Sequence, residues 1–383
     1  MKIAVLGGNS QISKDLILSF SKHTHYEYSL FARNTKLLEE WINSENLNGR
    51  CQVYEYSKFN INRTYDIIIN SVGIGDPEKA KKMGNDIFKI TEQYDGMALE
   101  YIKCNEETKY IFLSSGAIYG GSFKHPVNKD TLATIDINNL ASNDWYAIAK
   151  LYAEARHRSL EDLSIVDVRV FNYFSHTQDM NARFLITDIV RALKNNEVFK
   201  TSSDNIVRDF VTPPCFYALI QAIIDFKPIN TALDCYTKSP VSKFDLLSEL
   251  ESKFGLNYEI NESIDIINAT GLKINYYSTN KIAKDMGYEP INTSLESVIQ
   301  ENLMNTEFGV NDLGADLGYS RMQLYRKLKS ITTLSANEFI RSYRLKKAAE
   351  LLKYSQMNVS EILYQVGFSN RSYFTKCFKK QYD

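Results

Sequence analysis

Short apolar runs recur along the first 170 residues of the chain, and stretches of helical period separate them. The runs at residues 2–6, 28–31, 51–54, 66–70, 110–114 and 165–170 predict strands, and residues 12–22 predict the first intervening helix. Ile67-Ile68-Ile69 and Tyr110-Ile111-Phe112-Leu113 are apolar at consecutive positions. A strand with one wet face alternates apolar and polar residues, so continuous runs predict strands covered on both faces. Strands of that kind alternating with helices predict an α/β fold built on a doubly wound parallel sheet.

Beyond residue 175 the pattern loosens. Helical stretches at 181–194, 214–225 and 243–254 are punctuated by Pro213-Pro214, Lys238-Ser239-Pro240 and Glu289-Pro290. Such a section, residues 175–300, predicts a small substrate lobe over the C-terminal edge of the sheet. After about residue 300 the pattern is helical, with helices predicted near 293–305, 310–317, 321–330, 335–353, 359–366 and 370–380. The chain therefore divides into a body, residues 1–300, and an all-α tail, residues 301–383. The tail holds an internal repeat: Leu317-Gly318-Tyr319-Ser320-Arg321 through Lys327 returns 49 residues later as Val366-Gly367-Phe368-Ser369-Asn370 through Lys376.

A chain of 383 residues can bury full cores without staples. Cys51, Cys104, Cys215, Cys235 and Cys377 lie far apart, which excludes a spaced zinc motif and a disulfide scaffold and points to a reducing cytoplasm. No segment approaches 18 uncharged apolar residues, so no membrane span is expected. His23, His25, His125, His157 and His176 lack a spaced Cys, Asp or Glu partner set, so packing rather than a metal site is expected for all of them. The net charge of −1 conceals a split. Residues 305–383 carry 13 Lys and Arg against 7 Asp and Glu, a surplus of +6, which leaves 32 against 39, or −7, in residues 1–304. A basic tail on an acidic body points to an anionic partner for the tail.

The first strand runs into Gly7-Gly8-Asn9-Ser10-Gln11-Ile12 and then a helix. A glycine-bearing turn of this kind places Gly7, Gly8, Ser10, Gln11 and Ile12 where a dinucleotide pyrophosphate sits on a helix N-terminus. Ser13 stands where a last glycine would give tight helix packing. After the second strand the chain offers Arg33, where an acidic residue would meet an adenosine ribose. A guanidinium there can pair with a 2′-phosphate, which favours NADP over NAD. Further on, Ser115 ends a strand, and Tyr146 and Lys150 lie four apart in a helical segment. Residues so spaced share a helix face. An ammonium there favours phenolate and brings a phenol from a pKa of about 10 toward acid–base use. Taken alone, the pair also reads as a core aromatic beside a lysine.

In this order the glycine turn, the serine-bearing strand end and the Tyr-Lys pair resemble the extended short-chain dehydrogenase/reductase family, particularly its nucleotide-sugar epimerases, dehydratases and reductases. The resemblance covers roughly residues 1–300 and implies a Rossmann-like sheet, with Ser115, Tyr146 and Lys150 as the catalytic set. By that likeness Tyr146 moves a hydroxyl proton and Ser115 hydrogen-bonds the reacting oxygen. Lys150 lowers the tyrosine pKa and holds the nicotinamide ribose, and hydride passes to or from NADP or NAD. The likeness also implies that Ser71, in Asn70-Ser71-Val72-Gly73-Ile74-Gly75, lies beside the adenosine ribose. It implies that Asn172 contacts substrate, and that Arg208, in Arg208-Asp209-Phe210-Val211, meets a diphosphate. As bland alternatives, Asn172 would cap a loop and Arg208 would pair with Asp209. Gly116-Ala117 stands after Ser115 where the family's dehydratases carry an acidic pair, so epimerisation or 4-keto reduction is expected.

Each copy of the tail repeat reads as a short helix, a glycine turn, a serine N-cap and a second helix with basic and polar residues. A second helix of this kind can enter a major groove. The candidates for DNA contact are Arg321, Gln323 and Arg326 in the first copy and Asn370, Arg371 and Lys376 in the second. Leu317, Leu324, Leu328, Val366, Phe368, Phe374 and Phe378 predict two small cores. Leu324-Tyr325-Arg326-Lys327-Leu328-Lys329, Ile340 to Leu345, Ile362 to Asn370 and Phe378-Lys379-Lys380 closely resemble the AraC/XylS-type double helix-turn-helix domain. That resemblance implies sequence-specific binding of duplex DNA.

Three accounts fit such a chain. One is an NAD(P)-dependent nucleotide-sugar epimerase or 4-keto reductase with a DNA-binding tail. Another is a transcription regulator whose reductase-like body senses a dinucleotide or sugar nucleotide without turnover. The third is a fusion in which one part is a passenger. Ser115, Tyr146 and Lys150 together favour the first, because sensing alone needs no phenol held on the face of a lysine. Homodimerisation is left open by the sequence.

Overall fold

The computed structural model describes residues 1–73, 82–121, 123–182, 184–195, 197–261, 273–303, 336–354 and 357–382. Its strands are β1 (Lys2–Leu6), β2 (Glu27–Phe31), β3 (Cys51–Tyr54), β4 (Ile67–Asn70), β5 (Lys109–Ser115) and β6 (Ile165–Val170). Short strands follow: β7 (Asn172–Tyr173), β8 (Phe199–Thr201), β9 (Val207–Arg208), β10 (Phe210–Val211), β11 (Thr231–Asp234), β12 (Val241–Ser242), β13 (Tyr258–Ile260) and β14 (Asn275–Tyr276). Seven of these pair in parallel to form a Rossmann-like sheet in the order β11-β6-β5-β4-β1-β2-β3. The strand order reverses between β4 and β2, on either side of β1, so the turn after β1 sits at the crevice where α/β sheets take ligands.

The helices in chain order are α1 (Gln11–His23), α2 (Thr35–Ser44), α3 (Asp86–Cys104), α4 (Trp145–Arg158), α5 (Leu185–Asn195), α6 (Pro213–Asp225), α7 (Lys243–Phe254) and α8 (Ser294–Leu303). They are followed by α9 (Ala336–Tyr354), α10 (Val359–Gln365) and α11 (Arg371–Tyr382). Alternation along β1 explains the apolar runs. Ile3 and Val5 pack with Leu16 and Phe20 of α1 and Leu219 of α6 on one face. Ala4 and Leu6 pack with Ala98 and Ile102 of α3 and Ala153 of α4 on the other. Successive side chains point to opposite faces, so a strand covered twice must be apolar throughout.

The predicted strands of the main sheet are present with boundaries within a residue. The seventh, β11, went unpredicted. Its Thr-Ala-Leu-Asp sequence lacks an apolar run because it is an edge strand, pairing only with β6. Pro213 and Pro214 start α6 instead of standing between elements, since the first helical turn needs no N–H donor there.

The chain forms two compact units, residues 1–178, 204–243 and 265–297, and residues 179–203, 244–264 and 298–383. The first holds the seven-stranded sheet. In the second, β8 and β13 pair in parallel, and α9, α10 and α11 enclose a small core of Leu345, Ala348, Ile362, Leu363, Val366, Phe368 and Phe374. Among the described residues no helix is long and apolar enough to cross a membrane.

Candidate active site

The β1–α1 turn is built for close approach. Gly7 has φ +88°, and a Cβ there would lie 2.7 Å from Ser71 Oγ. Ser10 caps α1 by accepting from the Ser13 amide at 3.2 Å. This leaves the Gln11 and Ile12 amides of the first turn without a backbone acceptor among the described residues. The first turn of α1 contains no acidic residue, and Asn9 Oδ1 is buried without a partner. Unspent donors at a helix N-terminus free of carboxylates fit a dinucleotide pyrophosphate.

Ser13 keeps its place by hydrogen bonding. Its hydroxyl meets Ser71 Oγ at 2.5 Å and Ser10 Oγ at 2.9 Å, and Ser71 also donates to the Leu6 carbonyl at 2.9 Å. The Ser71 hydroxyl is thus taken up beneath the turn. Arg33 is exposed just beyond β2. Two residues that sequence reasoning missed also fix the turn. Tyr56 Oη accepts from the Gly7 amide at 3.0 Å. Asp15, buried on α1, accepts from Tyr173 at 2.9 Å and from Ser175 and Thr177 at 2.8 Å. A carboxylate beside buried Leu16 and Ile17 was the available signal.

At the end of β5, Ser115 is buried and accepts from the Ala117 amide at 3.2 Å, which starts the turn of 3₁₀ helix over Gly116–Tyr119. Tyr146 lies half-buried on the first turn of α4, and α4 packs against the Gly116–Tyr119 turn that Ser115 starts. Burial raises the phenol pKa and Ser115 opposes the rise. Lys150, one turn on, is buried, donates to the Leu113 carbonyl at 2.8 Å and the Val72 carbonyl at 3.4 Å, and sits 4.2 Å over the Phe112 ring. Burial pushes its pKa down to about 8, against the pull of Asp95, Asp167 and Glu154. The structure therefore brings Ser115 and Tyr146 together and sets Lys150 on the same helix, reaching the loop that follows β4.

Asn172 donates to the Tyr276 carbonyl at 3.1 Å, which ties β7 to β14. Arg208 does not pair with Asp209. Its guanidinium donates to the Val207 and Ile274 carbonyls at 2.8 and 3.2 Å, while buried Asp209 accepts from the Thr237 amide at 2.9 Å. Lys273, another residue missed from the sequence, lies 4.5 Å over the Tyr276 ring. Burial and the neighbouring Arg208 push its pKa down to about 8.

Behind Lys150 lies a buried charge network. The His157 ring packs edge-on against Phe112, 5.1 Å between centroids, with the Lys150 ammonium on the same phenyl group. Its Nδ1 is 2.6 Å from Asp167 and its Nε2 2.7 Å from Asp95. Glu154, between Lys150 and His157 in sequence, pairs with Arg169 at 2.6 Å. Tyr146, Lys150, Glu154 and His157 follow helical spacing, a signal legible in the sequence.

In the tail, Asn358 and Glu361 form a capping box at the start of α10. Gly367, at φ +81°, makes the turn, and Arg344 donates to its carbonyl at 3.0 Å. The cap of α11 is Asn370 rather than the expected serine: its Oδ1 accepts from the Tyr373 amide at 2.9 Å. Arg371 and Lys376 are exposed on α11. Arg321, Gln323 and Arg326, with the predicted helices at 310–317 and 321–330, lie outside the described residues.

The NAD dependent epimerase/dehydratase family matches residues 3–213, and a helix-turn-helix domain matches residues 313–383. The chain is 43% identical over 86 residues to Histidine kinase P4 of Formosa agariphila, covering 22% of this chain and 6% of that protein. It is 40% identical over 76 residues to the HTH-type transcriptional regulator MtrA of Neisseria gonorrhoeae, covering 20% of this chain and 25% of that protein. The chain thus spans a quarter or less of these relatives' length. Among solved structures, a UDP-glucuronic acid 4-epimerase from Bacillus cereus aligns with TM-score 0.62 at 19% identity over 78% of this chain and 97% of its own. A UDP-glucose 4-epimerase from Bifidobacterium longum aligns with TM-score 0.62 at 16% identity over 80% and 99%. At such identities the likeness is one of fold. With more than half its length matched, the chain belongs to the NAD dependent epimerase/dehydratase family and carries an AraC/XylS-type helix-turn-helix segment after that region.

Proposed function

We propose that residues 1–300 are an NAD(P)-dependent nucleotide-sugar epimerase or 4-keto reductase and that residues 301–383 bind it to duplex DNA. The observation that carries the enzymatic reading is Tyr146 and Lys150 on successive turns of α4, which packs against the 3₁₀ turn that Ser115 caps at the end of β5. A phenol kept protonated by burial is a proton donor to a sugar carbonyl oxygen, and its phenolate takes the proton back from a sugar hydroxyl. Ser115 hydrogen-bonds that oxygen. The charge on Lys150 favours the phenolate when the proton leaves. Gly7, Gly8, Ser10, Gln11 and Ile12 would hold the pyrophosphate, and Asn172 and Arg208 the sugar nucleotide. When bound, the nicotinamide supplies or accepts the hydride.

NAD is supported by the family's description and by the two epimerase structures, which are complexes with NAD. Exposed Arg33 would reward the extra phosphate of NADP. Those structures also hold UDP-glucuronic acid and UDP, which makes UDP-sugars the substrates to test. For the tail, the supporting observation is exposed Arg371 and Lys376 on a capped helix after a glycine turn.

The test titrates purified protein with NAD and NADP and then assays UDP-sugar conversion by wild type and Tyr146→Phe. Cofactor affinity should be retained while turnover falls by about 10²–10⁴-fold. Failure to bind either dinucleotide, or undiminished turnover by Tyr146→Phe, refutes the reading. Binding of dinucleotide and UDP-sugar without conversion would assign the body a sensing role.

A further inference from the structure

The apolar run Ile67-Ile68-Ile69 of β4 ends in Asn70, which is fully buried. A carboxamide costs free energy there unless both of its ends are hydrogen-bonded. Its Nδ2 donates to Tyr110 Oη on β5 at 2.8 Å, and its Oδ1 accepts from the Val72 amide at 3.0 Å. Tyr110, also fully buried, donates in turn to Asp95 on α3 at 2.9 Å, and the same Asp95 oxygen lies 2.7 Å from His157 Nε2 on α4. At the other end, Lys150 Nζ donates to the Val72 carbonyl at 3.4 Å and to the Leu113 carbonyl at 2.8 Å. A buried chain of hydrogen bonds therefore runs from His157 through Asp95, Tyr110 and Asn70 to the backbone that holds the Lys150 ammonium.

The chain has one direction. A carboxylate beside His157 and Arg156 only accepts, so the Tyr110 hydroxyl gives it its proton and keeps its own oxygen for a donor. Only the NH₂ end of Asn70 supplies that donor, which leaves Oδ1 to close a turn on the Val72 amide. Ser71, between them, donates to the Leu6 carbonyl at 2.9 Å, so the same loop joins the lysine to the β1–α1 turn. We propose that Asn70 is a positioning residue of the reaction site: its carboxamide, oriented by Tyr110, shapes the loop after β4 so that the Val72 carbonyl fixes the Lys150 ammonium for its part in proton transfer. The inference rests on the enzymatic reading above.

Asn70→Leu nearly keeps the volume and removes both hydrogen bonds, and Tyr110→Phe removes the phenol oxygen and retains the ring. In the full chain labelled with ¹³C at lysine Cε, the Lys150 resonance, assigned by its loss in Lys150→Met, is followed against pH. Burial and the charges of Asp95, Asp167 and Glu154, which set the wild-type value of about 8, are common to all three proteins. An ammonium that loses a carbonyl acceptor gives up its proton more readily. The Lys150 titration should therefore move down by about one pH unit in Asn70→Leu, and in the same direction by less in Tyr110→Phe. UDP-sugar turnover with NAD should fall about tenfold in Asn70→Leu with KM changed less than about twofold. A residue that merely supported the sheet would leave the Lys150 titration where it is. A titration unmoved in both variants, or wild-type turnover in both, overturns the proposal. Should Asn70→Leu fail to fold, Tyr110→Phe decides by the same titration. A wild-type protein that converts no UDP-sugar defeats the enzymatic reading instead, and the titration still decides whether Asn70 acts on Lys150.

Discussion

Stability should fall between pH 6 and pH 8 because of one buried imidazole. His157 is fully buried between Asp167 at 2.6 Å and Asp95 at 2.7 Å. Arg158 reaches the second oxygen of Asp167 at 2.6 Å, Arg156 lies 3.4 Å from Asp95, and the Tyr110 hydroxyl donates to Asp95 at 2.9 Å. Burial alone would lower the imidazole pKa. The hydrogen bonds and charges of Asp167 and Asp95 outweigh it and hold the pKa up to about 9, against 6.5 unperturbed. With the folded value the higher, the stabilisation is fully present below about pH 6.5 and is lost as pH rises through about 9. That gap corresponds to about 3 kcal/mol, of which about 2 kcal/mol disappears between pH 6 and pH 8. Lys150 and Lys273, each pushed by burial from 10.5 down to about 8, act in the opposite sense, chiefly above pH 8. Both are about half-titrated at pH 8, so the contribution of His157 is read as the difference between wild type and a His157 variant. Trp41 and Trp145 both belong to the unit that contains His157, so their fluorescence in urea reports on its unfolding. Wild type should lose about 2 kcal/mol more across the window than a protein without the imidazole. His157→Gln should start about 3–5 kcal/mol lower and lack that loss, because Asp95 and Asp167 lose the cation between them and keep only Arg156 and Arg158 at their outer oxygens. Equal slopes in the two proteins would refute the doubly paired imidazolium.

Two further outcomes follow from local geometry. Gly120 has φ +62°, and a Cβ there would lie 1.9 Å from the Thr134 carbonyl oxygen, a backbone atom that cannot move alone. Gly120→Ala should cost more than about 2 kcal/mol in the same urea assay, and a change within about 0.5 kcal/mol would sink the argument. Replacing both Arg371 and Lys376 by alanine should weaken duplex DNA binding and flatten the dependence of log K on log salt by up to about 2, measured by fluorescence anisotropy. Unchanged affinity and slope would remove α11 from the interface.

Much of the sheet was legible because burial on both faces demands consecutive apolar residues, as in Ile67-Ile68-Ile69 and Tyr110 to Leu113. β11 was not, since an edge strand needs no such run. The Tyr146–Lys150 pair was legible for a similar reason: spacing of four along a helix is a local property. The α11 cap was misread by one residue because serine and asparagine are both good caps, and only the Asn370–Tyr373 hydrogen bond identifies which is used.

The sequence by itself determined the alternation of strand and helix, the glycine turn after β1, the tail repeat, and one face of α4 bearing Tyr146, Lys150, Glu154 and His157. All follow from backbone periodicity, which acts over a few residues. Tertiary structure alone decided what those groups meet. Asp95 and Asp167 come from different elements to enclose His157, and β14 sets the Tyr276 ring against Phe123 and Phe171 within the first compact unit. No local pattern encodes such encounters, because a two-residue strand is specified by its neighbours in space, and a buried charge by the partners that burial forces upon it.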